Sequence, residues 1–277
     1  MIGIANALRP HSISGCTNSI GPNLAPICTP MANPSMNLTA DELRDFLLEK
    51  AEQYETRAFL PDDPVGVPHR FSDPADQAMA GLFTALIAWG NRKAILKSAD
   101  ALMGRMDGAP DAFVRGATAG EVERAFAGFV HRTFQAVDAG EVVLGVQRAV
   151  AEAGSLEGAF GRGETAFERI AGFHDAVFSG RPADLRSRKH VADPRKGSAA
   201  KRLNMFLRWM VRPAARGVDL GIWPELGTAG LMIPLDVHTS NVGRRLGLLE
   251  RKANDWRAVE ELTAALRPMK RSTTSAL

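Results

Sequence analysis

From residue 39 onward, apolar residues recur every three or four positions in segment after segment, and no run alternates apolar with polar. That period gathers side chains on one face of a helix, so the chain is expected to be all-α, with no strand. Composition agrees: aromatic residues are only 6% of the chain while Ala, Leu and Arg abound, a balance that favours helices over sheets. Thr39 and Glu42 form a capping box ahead of Leu43, Phe46, Leu47 and Tyr54, which repeat at helical spacing. A second helix is expected from Asp73 through Met79, Leu82, Phe83, Leu86 and Ile87 to Trp89, stopping near Gly90. Further helices are expected over 91–106, 119–129, 139–153, 164–178 and 255–267, and the Pro-rich stretch over 61–68 reads as a rigid loop.

This pattern divides the chain into a disordered leader over 1–37, a helical domain over 38–267 and a tail over 268–277 that loses all periodicity. The domain is expected to have two lobes, about 38–180 and 181–267, and the tail to be disordered or the product of a frameshift. No apolar run reaches the roughly 18–20 residues of a membrane span, and prolines at 10, 22, 26 and 30 break any signal-peptide pattern, so a cytoplasmic protein is expected. The two cysteines, Cys16 and Cys28, form no Cys-x-x-Cys pair, which excludes zinc-ribbon and cysteine-ligated iron–sulfur sites. His69, His131, His174, His190 and His238 are scattered without a pair four residues apart beside an acid, so a metal hydrolase is disfavoured.

Charge is distributed unevenly. Ten cations, Arg186, Arg188, Lys189, Arg195, Lys196, Lys201, Arg202, Arg208, Arg212 and Arg216, stand against the single acid Asp193. The whole chain carries only +3, so the remainder is net acidic. A cluster of this kind is the footprint of a phosphate-backbone partner, or else a solvated helix face. At its centre lies the clearest helix in the chain, for which Ser198 reads as the N-cap and Pro213 as the stop. At about 100° per residue, Lys201, Arg208 and Arg212 share one arc of it, and Leu203, Phe206, Leu207 and Met210 share the opposite arc. Lys201 falls in the first turn, where the helix dipole disfavours a second positive charge. It is either a solvated surface lysine or an amine nucleophile.

A second short helix is expected from Asp236 to Leu246, with Pro234 holding its approach extended, Asp236 placed to cap it and Gly247 ending it. The spacing resembles the helix–hairpin–helix base-excision DNA glycosylase superfamily, in which a Pro-Val-Asp-x-His segment opens a helix ending in Arg-Leu-Gly-Leu. Pro234, Asp236, His238, Val242, Arg245, Leu246, Gly247 and Leu248 stand at the matching positions. The resemblance implies a two-lobed helical bundle and makes Asp236 the catalytic carboxylate. Members that also cleave the DNA strand carry a lysine at the start of the preceding amphipathic helix, the place Lys201 occupies. The hairpin departs from the usual Leu-Pro-Gly-Val-Gly, reading Asp193-Pro-Arg-Lys-Gly197-Ser, and Asn241 stands where arginine is usual.

Over roughly 40–267 the chain also resembles an uncharacterised bacterial family, domain-of-unknown-function family 2400. The segments that carry this are Asp63-Pro-Val-Gly-Val-Pro68-His69-Arg70-Phe71, Ala85-Leu-Ile-Ala-Trp89-Gly90-Asn-Arg92-Lys93, His131-Arg132-Thr133-Phe134, Lys201 to Val211, Gly217 to Trp223 and the Asp236 segment. That family supplies no activity.

The glycosylase resemblance implies a DNA-binding protein that hydrolyses the N-glycosidic bond of a damaged base, with or without strand cleavage. In it, Asp236 meets the positive charge that develops on the sugar and Lys201 attacks the sugar carbon. Lys196, Gly197, Ser198, Arg202, Arg208, Arg212 and His238 are the expected DNA contacts, and no metal or organic cofactor is required. Trp89, Trp209 and Trp223 are candidates for base stacking or for buried packing. The alternative is a non-catalytic nucleic-acid-binding or scaffold protein of the same fold, in which Asp236 is only a cap and Lys201 only a phosphate contact.

Overall fold

The computed structural model describes residues 38–269. The expected leader lies outside these residues, and so does the expected tail, apart from residues 268 and 269 in a closing 3-10 turn. Within the described residues, helices dominate. They are α1 (Ala40–Tyr54), α2 (Pro74–Leu86), α3 (Arg92–Arg105), α4 (Pro110–Gly116), α5 (Ala119–Phe126), α6 (Ala136–Ala153), α7 (Leu156–Phe160), α8 (Ala166–Val177), α9 (Lys201–Val211), α10 (Val237–Arg245) and α11 (Trp256–Leu266).

Cap chemistry sets where most of them begin. The Thr39 amide donates to Glu42 Oε2 at 2.8 Å and the Glu42 amide to Thr39 Oγ1 at 3.3 Å, completing the predicted capping box. The same box opens α5 through Thr118 and Glu121 and α8 through Thr165 and Glu168, while Asp73 and Asn91 cap α2 and α3. Helix α2 stops at Leu86, short of the expected Trp89, and Gly90 at φ 101° turns the chain into α3. The stretch over 61–68 is wound into 3-10 turns.

The expectation of no strand is corrected by a small antiparallel hairpin, β1 (Val130–His131) and β2 (Phe134–Gln135). Two residues per strand are too few to display an alternation in the sequence. Among the described residues no helix is long and apolar enough to cross a membrane.

Two hydrophobic cores form. In the larger one α6 is central, burying Val142, Val143, Val146, Ala149 and Val150 among α4, α5, α7 and α8. Phe160 stacks on Phe173 at 4.0 Å, and α9 lays Phe206 and Met210 against α2. The smaller core joins Leu43 and Leu47 of α1 to Leu235, Val242 and Leu246 around α10 and to Val259 and Leu262 of α11. Each such large side chain contributes about 1.5–3 kcal/mol on burial. Helix α1, the first of the described helices, therefore closes the core built by the last two of them.

Candidate functional site

A cleft of about 1350 Å³ is lined by residues of both cores' helices, and the N-termini of α9 and α10 face into it. Pro234 and Leu235 are buried and deliver Asp236 to the start of α10 in extended conformation. Its carboxylate accepts from the Thr239 amide at 2.8 Å, so the expected cap is present. The other oxygen lies 3.1 Å from Lys201 Nζ, and both side chains remain about 30% exposed, at 30% for the lysine and 29% for the aspartate. Burial pushes the Asp236 carboxyl up, but the Thr239 amide and the Lys201 ammonium outweigh it and hold it below its ordinary value. Asp236 is thus a carboxylate at neutral pH. The two groups that the sequence singled out meet in one cleft.

The start of α9 differs from expectation. Ser198 is not its N-cap: the residue before Lys201 is Ala200, left-handed at φ 45°, with no side-chain cap. Ser198 Oγ instead accepts from the Ala200 amide at 3.2 Å, tying the turn that precedes the helix. Gly197, at φ 80°, closes the 3-10 turn Pro194–Lys196, and its carbonyl accepts from the Trp256 amide at 3.2 Å. The segment before α9 carries two 3-10 turns, Arg186–His190 and Pro194–Lys196. Helix α9 ends as predicted, with Arg212 extended ahead of Pro213.

The basic cluster is mostly neutralised from within. Arg208 and Arg212, expected on DNA, reach inward to Glu55 at 3.2 and 2.9 Å and to Asp219 at 3.4 and 3.3 Å. Arg216 joins Glu55, Arg186 joins the fully buried Asp138, and Arg195 joins Asp175 and Asp193. Arg188 bonds the carbonyls of Phe178, Arg181 and Pro182. Arg202 donates to the Leu86 carbonyl and covers the Trp89 ring at 4.7 Å, and burial drops its guanidinium to about 10. Of the ten cations, Lys189 and Lys196 have no partner among the described residues, and both line the cleft. In all, Arg92, Arg188, Lys189, Lys196, Lys201 and Arg202 line it against Asp63, Asp193 and Asp236, leaving its walls net positive.

The other sequence candidates separate cleanly. His238 is exposed at the cleft, as are Lys196 and Ser198. Trp209 and Trp223 are buried packing residues, whereas half-buried Trp89 lines the cleft. His69, His131 and His174 bond backbone carbonyls of Val218, Trp89 and Val191. Among the described residues no group of His, Cys, Asp and Glu is arranged to hold a metal ion. Asp63, Arg92 and Lys189 were not singled out as site residues; Lys189 was visible only as one of the basic run.

Fold and site together define the chain as an all-α protein with a positively walled cleft and a lysine–aspartate pair inside it. The chain belongs to the family of proteins of unknown function DUF2400, whose model matches residues 63–273. No curated protein and no solved structure matches it.

Proposed function

We propose that this chain binds DNA and breaks the N-glycosidic bond of a nucleotide extruded into the cleft, in the manner of the helix–hairpin–helix base-excision glycosylases. The observation that carries the reading is the 3.1 Å contact between Lys201 and Asp236, each opening a helix, within a net-positive cleft. Lys189 and Lys196, unengaged by carboxylates among the described residues, supply charge for phosphates beside it. The likeness to that superfamily's fold is part of the proposal, with Pro194–Lys196 and Gly197 standing where its hairpin would be.

As the bond from base to sugar lengthens, positive charge builds on the sugar, and the ionised Asp236 stabilises it without reorganising. Lys201, paired as an ammonium, gives one proton to solvent, and its amine attacks the sugar C1′. The base departs with the bonding electrons and takes up one proton. A proton then moves from the lysine nitrogen to the ring oxygen, the sugar opens, and a Schiff base links Lys201 to C1′. Loss of the C2′ proton expels the 3′-phosphate and cuts the strand.

The non-catalytic reading has its own support: the Thr239 amide and Lys201 already engage the Asp236 carboxylate, so the pair is complete as a structural device. Duplex oligonucleotides carrying uracil, oxidised or alkylated bases separate the two. The glycosylase reading expects base release that falls about 100-fold or more in Asp236→Asn, and strand cleavage that disappears in Lys201→Ala. DNA binding that survives both substitutions, with no base released from any substrate, establishes the binder instead.

A further inference from the structure

Asp63 lines the same cleft and takes no part in the steps above. It belongs to the Pro-rich segment over 61–68, and its side chain is 10% exposed. Oδ1 accepts from the Val65 amide at 3.1 Å, capping the 3-10 turn Pro64–Gly66. Oδ2 has no hydrogen bond among the described residues: Arg92 stands 3.8 Å away, an ionic contact too long to be one. That oxygen is not among the sealed, unpartnered polar atoms of the described residues, and Asp63 lines the cleft.

Lys201 and Arg208 both act on the Asp63 carboxyl electrostatically. Asp63 lines one cleft together with Lys201, Asp236, Trp89 and Met205. A nucleotide that offers its sugar to Lys201 and Asp236 can place its base there, near Trp89 and Met205 of the same cleft. Burial pushes the Asp63 carboxyl up, against the Val65 amide and the charges of Arg92, Arg208 and Lys201. Asp236 is displaced the other way. One carboxyl group pushed up and another pushed down within one site is the pattern of an acid set beside an ionised carboxylate.

We propose that Asp63 is the general acid that protonates the departing base. The inference rests on the glycosylase reading. As the C1′–N bond breaks, its electron pair passes to the base nitrogen and Asp63, acting in its protonated form, gives its Oδ2 proton to the base, which leaves neutral. Asp63 remains as a carboxylate facing Arg92, and solvent returns its proton once the base has left. The charge on C1′ is met by Asp236 and by the Lys201 amine.

The test compares Asp63→Asn with the unsubstituted full chain on two DNA substrates. One carries a damaged base, and the other a preformed abasic site with no base left to expel. Asparagine preserves the acceptor for Val65 and removes only the proton. Base release should fall about 100-fold or more, while borohydride trapping on the abasic site stays within about twofold. Base release that is unchanged overturns the role, as does an equal loss on both substrates, which marks Asp63 as structural. An unsubstituted protein that neither releases bases nor traps abasic DNA defeats the glycosylase reading, and this role with it.

Discussion

Replacing Glu55 by glutamine tests how α9, the helix carrying Lys201, is held in place. The Glu55 carboxylate follows α1 and gathers Arg212 through two hydrogen bonds of 2.9 Å, Arg208 at 3.2 Å and Arg216 at 3.3 Å. Its side chain is 14% exposed. Burial alone would raise its carboxyl, but the hydrogen bonds and charge of Arg212, with Arg208, outweigh burial and hold it at about 2 rather than 4.5. At about 1.36 kcal/mol per unit, ionised Glu55 contributes roughly 3 kcal/mol at pH 7. Because the folded value is the lower one, this contribution is complete above the unfolded value and disappears as pH falls through the folded one. By pH 3 roughly 1 kcal/mol of it remains. Urea denaturation of Glu55→Gln and the unsubstituted chain should therefore show a gap of about 3 kcal/mol at pH 7 that narrows to about 1 at pH 3. A gap under about 1 kcal/mol at pH 7, or one that ignores pH, refutes the reasoning.

Two further outcomes follow from the same geometry. Lys189→Gln and Lys196→Gln should each shallow the salt dependence of DNA binding by about one unit of logarithmic slope, whereas Arg208→Gln should lower stability and leave that slope unchanged; fluorescence anisotropy across a salt series decides. Gly145→Ala puts a methyl 2.6 Å from Val177 Cγ1, and closer still to the Val177 carbonyl oxygen, where α6 crosses the end of α8. The gain of about 1 kcal/mol in helix propensity is then outweighed by overpacking of about 1–3 kcal/mol or more, so thermal melting should show a loss, and a gain would contradict the packing.

What the sequence made legible was local. Thr39 with Glu42 and Asp236 ahead of its short helix act over three residues, and both were read correctly as caps. Ser198 looked equally suitable, but the left-handed Ala200 shifts the helix start, and that backbone choice leaves no mark in composition. Helices α4 and α7 escaped because one or two turns cannot establish a period. The pairing of charge was less legible. Arg208 and Arg212 fall on one arc, as predicted, yet Glu55 lies more than 150 residues earlier and was invisible as their partner. A row of cations along a helix looks the same whether it awaits phosphate or carboxylate. Asp63 was overlooked for the converse reason, since an aspartate before proline reads as turn chemistry until the cleft around it is known.

The proposed chemistry requires Lys201 to act beside Asp236. Its most direct test incubates the full chain with abasic-site DNA and borohydride, then locates the reduced adduct by peptide mass mapping. One DNA-linked peptide, modified at Lys201, is expected, and its yield should fall in Asp236→Asn. An adduct on Lys189 or Lys196 with Lys201 unmodified, or no adduct at all, would contradict that chemistry.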